Sequence, residues 1–262
     1  MSPFSRLEAK VLRVLDQNIK SLDPSFEAKV VRGLDKRLGR SDPSITSKVE
    51  SGPFAGLSLT TQASWGGQAA RLVGTYEMEL WPVIHQLSQL GISHVIDVGC
   101  ADGYYACGIP YLYPEIRMTA FDLSITARCQ TRYAASANAL SSRVTVKRFF
   151  DITTFQPSNN ERELLLLDCE GFEQYIITPE TVNTLIPVCV LVECHDMFVP
   201  GVTAKLEALL SKTHTIQQIH SVERSLSDVP EGVERRATLL QEIQELRAGP
   251  QTWIWAVPRA WK

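Results

Sequence analysis

The chain has 262 residues, with 26 Lys and Arg against 29 Asp and Glu and a formal net charge of −3 at pH 7. This length suits one large α/β domain with an appendage. The charges are interspersed, so no basic stripe indicates binding to nucleic acid or to an anionic membrane. No apolar run is long enough to cross a bilayer, and residues 1–6 contain no apolar signal core. We therefore expect a cytoplasmic protein with a small-molecule ligand.

The six cysteines lie inside apolar or Gly-rich segments and show no C-x-x-C pair and no metal-ligand spacing. They are Cys100, Cys107, Cys129, Cys169, Cys189 and Cys194. Free cysteine usually behaves as a small buried hydrophobic residue. The pattern therefore predicts buried thiols in a reducing compartment.

The amino-terminal part contains an internal duplication. Residues 8–16, EAKVLRVLD, recur at 27–35 as EAKVVRGLD, and the tripeptide DPS at 23–25 recurs at 42–44. Apolar residues in both copies follow helical spacing, and each DPS predicts a turn. We therefore predict a helical pair over residues 1–45. Two repeat units cannot bury a core alone, so the pair should pack on the main domain or on a second copy in a homo-oligomer. It would serve as a packing appendage or as a cap over the substrate.

Residues 46–76 are rich in Ser, Thr and Gly and show no clear periodicity. Long irregular stretches are usually functional or disordered, so this segment is predicted to be a lid or linker before a main domain over 77–262. Trp65 would either cover a ligand or attach the loop to the core.

From residue 77 onward, apolar runs alternate with helical patterns. The predicted strands are 94–97, 117–122, 144–147, 164–168 and 188–193, and the predicted helices are 78–90, 103–113, 124–139, 171–185 and 201–211. This rhythm indicates an α/β fold with a Rossmann-like, doubly wound parallel sheet. Two further strands, 214–219 and 252–257, flank a polar helix at 233–247 and would end the chain in an antiparallel hairpin. The whole would be a seven-stranded, mostly parallel sheet.

An acidic residue stands at or just after the end of each of the first five predicted strands. These residues are Asp97, Asp122, Asp151, Asp168 and Glu193. In open α/β sheets the ligand binds outside the carboxyl ends of the strands. The acids therefore mark the predicted site.

The turn at 97–103, DVGCADG, follows the first of these strands. Its small residues Gly99, Ala101 and Gly103 let the backbone and the N-terminus of the next helix approach a ligand. Nicotinamide binders use the same device, but this turn is not G-x-G-x-x-G, and Asp102 would repel a pyrophosphate. A carboxylate there suits the sulfonium and ammonium of S-adenosylmethionine. In that hypothesis the carboxylate of Asp122 binds the ribose hydroxyls and that of Asp151 the adenine amino group.

Asp168, Glu193 and His195 form the predicted catalytic and metal-binding cluster. Neighbouring parallel strands lie about 4.8 Å apart, so Asp168 and Glu193 should be close, and His195 shares a face with Glu193. Carboxylates with an imidazole suit Mg²⁺ or Mn²⁺, which would lower the pKa of a substrate hydroxyl while His195 or a carboxylate acts as base. Two alternatives are a base that acts without metal and a purely structural His195.

The order of the motifs resembles that of the FkbM-type class I methyltransferases. The matching segments are 74–77 (GTYE), 97–105 (DVGCADGYY), 121–122 (FD), 168–173 (DCEGFE) and 192–193 (VE). The resemblance spans most of residues 70–220 and implies an O-methyltransferase that acts on a hydroxyl of a sugar, glycolipid or polyketide. Family members usually carry Ala-Asn where this chain has Cys100-Ala101. The turn and the resemblance together imply cofactor contacts from Tyr76, Glu77, Asp97, Gly99, Cys100, Ala101, Gly103, Tyr104, Asp122, Leu123 and Asp151.

Two other classes of function fit the same elements. One is a nucleotide-dependent oxidoreductase, which the missing G-x-G-x-x-G disfavours. The other is a non-catalytic scaffold that uses the duplicated helices as a partner surface, since a fold does not guarantee an activity. The acids at the strand ends favour an enzyme.

Overall fold

The structure, a computed structural model, describes residues 24–38, 46–61, 68–233, 238–245 and 249–261. The first helix predicted for the duplicated segment lies outside these residues, and so does Trp65. The second helix is confirmed as α1 (Pro24–Leu38). It takes in Pro24 and Ser25, which the sequence assigned to a turn, because proline is well suited to the first position of a helix.

Residues 46–76 have more structure than their composition predicts. Its described residues form three short elements, namely β1 (Thr46–Lys48), β2 (Ser58–Thr60), which pairs antiparallel with β1, and α2 (Gln68–Val73). Phe54, Leu57 and Leu59 are almost completely buried in the main core. Their partners are distant in the chain, so no local periodicity revealed them. The described part of this segment therefore contributes side chains to the domain core and is more than a lid or linker.

All seven predicted strands of the main sheet are confirmed. They are β3 (Ile92–Val98), β4 (Arg117–Phe121), β5 (Val144–Lys147), β6 (Arg162–Leu167), β7 (Val188–Cys194), β8 (His214–His220) and β9 (Thr252–Pro258). The helices that follow α2 are α3 (Trp81–Gln89), α4 (Tyr104–Leu112), α5 (Ile125–Ala137), α6 (Glu173–Ile176), α7 (Val202–Leu210) and α8 (Leu239–Glu242). Short 3₁₀ turns lie at Met78–Leu80, Val182–Leu185, Leu226–Asp228 and Arg259–Trp261.

The strand order is β5-β4-β3-β6-β7-β9-β8. Strands β3 to β7 are parallel, and β9 runs antiparallel to both of its neighbours, β7 and β8. This is the arrangement of the class I methyltransferase fold, as the sequence predicted. Strands β4 and β5 lie on one side of β3, and the chain then crosses to the other side, where β6 and β7 lie. The switch in strand order therefore lies at β3, where ligands of such sheets bind.

The central strand β6 shows why the sheet is covered on both faces. Leu164, Leu165, Leu166 and Leu167 are each at most 1% exposed. The first and third belong to one apolar cluster and the second and fourth to another, because successive side chains of a strand point to opposite faces. A run without polar residues is thus the sequence signature of a doubly wound sheet.

Two predicted helices are shorter than expected. The helix over 171–185 is reduced to α6 and a 3₁₀ turn, because Pro179 cannot donate a helical hydrogen bond and disfavours the helical conformation of Thr178. Of the polar helix over 233–247, the described residues form α8 alone. No helix in the described ranges is long and apolar enough to cross a membrane. The six cysteines are free, and all except Cys169 are buried.

Candidate functional site

A cavity of about 590 Å³ opens at the carboxyl ends of the parallel strands. It is lined by the segments that follow β3, β4, β5, β6 and β7, and by parts of residues 71–77 and 245–251. The cavity thus lies at the switch in strand order, where the strand-end acids predicted it.

Gly99 brings the turns after β3 and β6 into direct contact. Its φ is +97°, and a β-carbon there would lie 1.7 Å from the carbonyl oxygen of Asp168. The amides of Gly99 and Cys100 donate to the carbonyl of Phe121 at 2.8 and 3.1 Å. One turn therefore contacts the ends of both neighbouring strands, and only glycine fits at its centre.

The carboxylate of Asp122 is fixed at the edge of the cavity. Its Oδ2 accepts a hydrogen bond from the Ala101 amide at 3.0 Å, and its Oδ1 accepts one from the Ser124 amide at 2.7 Å. Both Asp122 and Ala101 line the cavity. This is the position from which an acid after the second strand of such a fold binds a ribose.

The structure brings about half of the predicted cofactor-binding residues to the cavity. Those that line it are Tyr76, Glu77, Gly99, Ala101, Asp122 and Leu123. Those that lie outside the lining are Asp97, Cys100, Gly103, Tyr104 and Asp151. Part of the motif therefore lines the cavity, and part of it lies behind the lining.

Asp97 and Asp151 illustrate two reasons for this difference. Asp97 is 1% exposed behind the turn, and burial, followed by the charges of Asp168 and Asp122, raises its pKa well above the usual range. Asp151 is directed to its own loop, where its Oδ1 accepts from the amide and the hydroxyl of Thr153 at 2.9 and 2.7 Å. The predicted contact of Asp151 with adenine is not supported by this arrangement.

Asp102 does not face the ligand, contrary to the prediction. It is 1% exposed and lies 3.3 Å from the Nη2 atom of Arg71, and it does not line the cavity. Burial lowers the pKa of Arg71, but the charge of Asp102 together with those of Tyr76, Glu77 and Tyr104 outweighs burial, and the net pKa is raised. Arg71 itself lines the cavity, so the charge presented there is positive rather than negative.

The end of the cavity near Arg71 carries fixed charges of both signs. Glu77 and Glu245 line the same end. Glu245 Oε1 accepts from the amide of Glu77 at 3.0 Å and from Nε of Arg224 at 2.9 Å. The Tyr105 hydroxyl donates to Glu77. A cation beside two carboxylates can bind a zwitterionic amino-acid group.

No sequence pattern indicated that Arg71 and Glu245 would line the cavity. Arg71 stands in a stretch without periodicity, and Glu245 lies 168 residues after Glu77. Neither residue belongs to a local motif, so the tertiary fold alone brings them to the cavity.

Asp168, Glu193 and His195 come together as predicted. One ligand atom from each lies within 4.8 Å of the others. His195 Nε2 is 3.7 Å from Asp168 Oδ1 and 3.7 Å from Glu193 Oε2. The two acids line the cavity, and His195 is 1% exposed, with its ring stacked on that of Phe198 at 5.8 Å. The adjacency of β6 and β7 therefore forms the predicted cluster.

Glu173 lies beside the other nitrogen of His195. Its Oε1 lies 3.0 Å from His195 Nδ1 and also accepts from the amide of Cys169 at 2.9 Å. Glu173 is completely buried beside His195. Its position is therefore explained by this neighbour better than by the general preference of acidic residues for the N-terminus of a helix. Burial lowers the pKa of His195, but the contact with Glu173 and the charges of Asp168 and Glu170 outweigh burial and raise it. An imidazole held in this way is typical of metal ligands and of catalytic bases.

Exposed apolar side chains surround the mouth of the cavity. Leu123 and Phe149 are each 59% exposed, Phe172 is 49% exposed and Phe198 is 56% exposed, and all four line the cavity. Large exposed apolar side chains that gather at one opening mark a ligand-binding surface. Phe172 and Phe198 belong to the segments that carry the acid cluster.

No family model matches the chain, and no curated protein matches it. The solved structures to which the chain is similar include the O-methyltransferase TomG from Streptomyces achromogenes, which is involved in tomaymycin synthesis and was determined in complex with SAM. The two chains are 10% identical, the alignment covers 98% of this chain and 99% of TomG, and the TM-score is 0.48. A SAM-dependent methyltransferase from Geobacter sulfurreducens with S-adenosyl-L-homocysteine is 14% identical, with coverage of 70% and 91% and a TM-score of 0.42. Precorrin-6y C5,15-methyltransferase from Geobacter metallireducens is 11% identical, with coverage of 68% and 86% and a TM-score of 0.44. Likeness at this level does not establish an activity.

Replacing Gly99 by alanine should destabilise the protein strongly. A left-handed non-glycine residue costs about 1–2 kcal/mol and overpacking about 1–3 kcal/mol, so we expect a loss of about 3 kcal/mol or more in the free energy of unfolding. Gly201→Ala is the matched control, since Gly201 has φ +83° with no atom within 4 Å of the added carbon. It should lose about 1–2 kcal/mol. Urea unfolding measures both, and equal losses would contradict the close approach.

Proposed function

We propose that this chain is an S-adenosylmethionine-dependent O-methyltransferase that methylates a hydroxyl of a carbohydrate or natural-product small molecule, with a divalent metal ion assisting. One observation carries the proposal. The turn at Gly99 has the fixed carboxylate of Asp122 on one side and Asp168 and Glu193 on the other, and these three acids line one cavity, with His195 buried against the last two. The proposed cofactor site and the proposed reaction centre would therefore lie on two sides of one turn.

The residues of the cavity match the three parts of S-adenosylmethionine. Asp122 would accept from the ribose hydroxyls. Arg71 would bind the carboxylate of the amino-acid group, and Glu77 its ammonium. The apolar side chains of Leu123 and Phe149 would contact the adenine ring. Because Gly99 has no side chain, a cofactor along the turn would reach the acid cluster.

The cluster also fits a divalent cation. Two carboxylates and one imidazole, with Glu173 behind the imidazole, form a donor set for Mg²⁺ or Mn²⁺. When bound, the ion would lower the pKa of the acceptor hydroxyl. Asp168 and Glu193 would bind and orient the acceptor at their end of the cavity. Without an ion, His195 Nε2 would serve as the base.

The proposed transfer is a single displacement. The acceptor oxygen attacks the methyl carbon, the O–CH₃ bond forms as the S–CH₃ bond breaks, and S-adenosylhomocysteine leaves. The hydroxyl proton passes to a carboxylate of the cluster or to His195. Glu170 is one candidate, because its Oε2 lies 3.5 Å from His195 Nε2 and burial, followed by the charge of Asp168, raises its pKa. A raised pKa prepares a carboxylate to accept a proton.

The mouth of the cavity supports a ring-shaped acceptor. Phe172 and Phe198 offer exposed aromatic faces beside Asp168 and Glu193. Sugar rings and planar polyketide rings both pack on such faces. Among the described lining residues the cations are Arg71 and Arg148, and Arg71 already faces Asp102. These features favour an uncharged hydroxylated sugar, glycoside or polyketide.

Calorimetry with purified protein tests the cofactor. We expect saturable binding of S-adenosylhomocysteine and none of NAD⁺. Asp122→Asn should weaken binding about tenfold or more, because a hydrogen bond to a charged group contributes about 1.5–3 kcal/mol. Asp151→Asn is the matched control and should keep the wild-type dissociation constant, since its carboxylate bonds Thr153. Binding of NAD⁺ in place of S-adenosylhomocysteine would favour the oxidoreductase alternative.

Mn²⁺ binding tests the metal site separately from turnover. Wild-type protein should bind Mn²⁺ in calorimetry, and Asp168→Asn should abolish that binding while the affinity for S-adenosylhomocysteine stays unchanged. Asp196→Asn is the control, because Asp196 Oδ1 accepts from the Gly201 amide at 2.9 Å and its carboxylate lies outside the cluster. With an acceptor in hand, EDTA should lower the rate about 100-fold or more, and Mg²⁺ should restore it. A wild-type protein that binds no Mn²⁺ leaves His195 as the base.

A further inference from the structure

We propose that helix α1 of the duplicated segment positions the cofactor loop after β4, and that Glu27 is the positioning residue. This inference rests on the proposed function, because the loop in question carries Asp122. It gives the amino-terminal duplication a role in cofactor binding.

Glu27 is the buried link between α1 and α5. It is 3% exposed and lies against Arg128, which is 1% exposed. Arg128 Nη2 is 2.5 Å from Glu27 Oε1, and Arg132 Nη1 is 2.5 Å from Glu27 Oε2. One carboxylate therefore holds two guanidinium groups of the same helix.

Arg128 extends this link to the wall of the cavity. Its Nη1 donates to the carbonyl oxygens of Asp122 at 2.9 Å and Leu123 at 2.7 Å. Asp122 and Leu123 line the cavity. The guanidinium thus bonds the loop on one edge and Glu27 on the other, in the planar geometry that arginine is suited for. Two successive links, from Glu27 to Arg128 and from Arg128 to the loop carbonyls, therefore join α1 to the proposed ribose site.

Other contacts also hold α1 on α5. Val31 packs with Ile125 and Cys129 in a small apolar cluster. The exposed Arg32 donates to the hydroxyl of Tyr133 at 3.3 Å. The apolar contacts explain why the helix docks. The buried acid at Glu27 adds an electrostatic contact that docking alone does not require, since a buried ion pair adds little net stability.

Loss of the Glu27 charge would disturb the loop. Arg128 and Arg132 would then face each other without their shared carboxylate, and a buried cation without a partner is strongly unfavourable. The Arg128 side chain would turn toward water and release the carbonyls of Asp122 and Leu123. The proposed ribose-binding loop would lose the two hydrogen bonds from Arg128, although no residue proposed to touch the cofactor has changed.

The experiment compares two variants on the same helix. Glu27→Gln removes the charge at the link, and Arg32→Gln removes a contact between the same two helices that does not reach the cavity. We expect the dissociation constant of S-adenosylhomocysteine to rise about fivefold or more in Glu27→Gln, the usual size of a coupling between sites, and to stay within about twofold in Arg32→Gln. Melting temperature without ligand is recorded for both. Glu27→Asp, which keeps the charge, should recover part of the affinity.

A lower melting temperature in Glu27→Gln with an unchanged dissociation constant would overturn the inference, because Glu27 would then serve stability alone. Equal weakening in Arg32→Gln would overturn it too, since the effect would belong to helix docking in general. If Glu27→Gln does not fold, Arg128→Lys decides, because lysine keeps a positive charge beside Glu27 but lacks the planar group that bonds the carbonyls of Asp122 and Leu123. Wild-type affinity in that folded variant overturns the proposal. Wild-type protein that binds no S-adenosylhomocysteine would instead remove the proposed function.

Discussion

The close approach of Gly99 to the carbonyl of Asp168 sets the geometry of the whole site. A side chain at Gly99 would separate the turns after β3 and β6. On its other side, the amides of Gly99 and Cys100 donate to the carbonyl of Phe121. Three strand ends therefore meet around one residue without a side chain. Asp122 and the acid cluster can face one cavity only because this contact keeps their strand ends together.

The parts that sequence alone predicted depend on short-range signals. The run Leu164–Leu167 alternates between two cores, so its unbroken apolar character identified a strand covered on both faces. Asp168 and Glu193 were predicted to meet because adjacent parallel strands end side by side. The fold and the acid cluster follow from such rules, which need no knowledge of distant contacts.

The parts that sequence did not predict depend on side-chain direction and on contacts between distant segments. A motif gives the position of Asp102 but not its direction. Ala101 has φ +47°, and after this left-handed residue Asp102 lies in the interior against Arg71. Likewise Glu27 and Arg128 are 101 residues apart and share no pattern. Such pairs form only when the tertiary structure is complete.

The buried charges of this molecule fall into two kinds. Arg71 with Asp102, and Arg128 with Glu27, each join opposite charges across distant segments. Around His195 the balance differs, since Asp168, Glu170, Glu173 and Glu193 all lie within 3.7 Å of an imidazole that carries at most one positive charge. Carboxylates concentrated in this way repel one another and are costly to keep ionised. Such clusters persist chiefly where chemistry uses them. A divalent cation, or the proton that the proposed reaction releases, would relieve this repulsion, so the feature that costs stability is also the one that suits the proposed reaction.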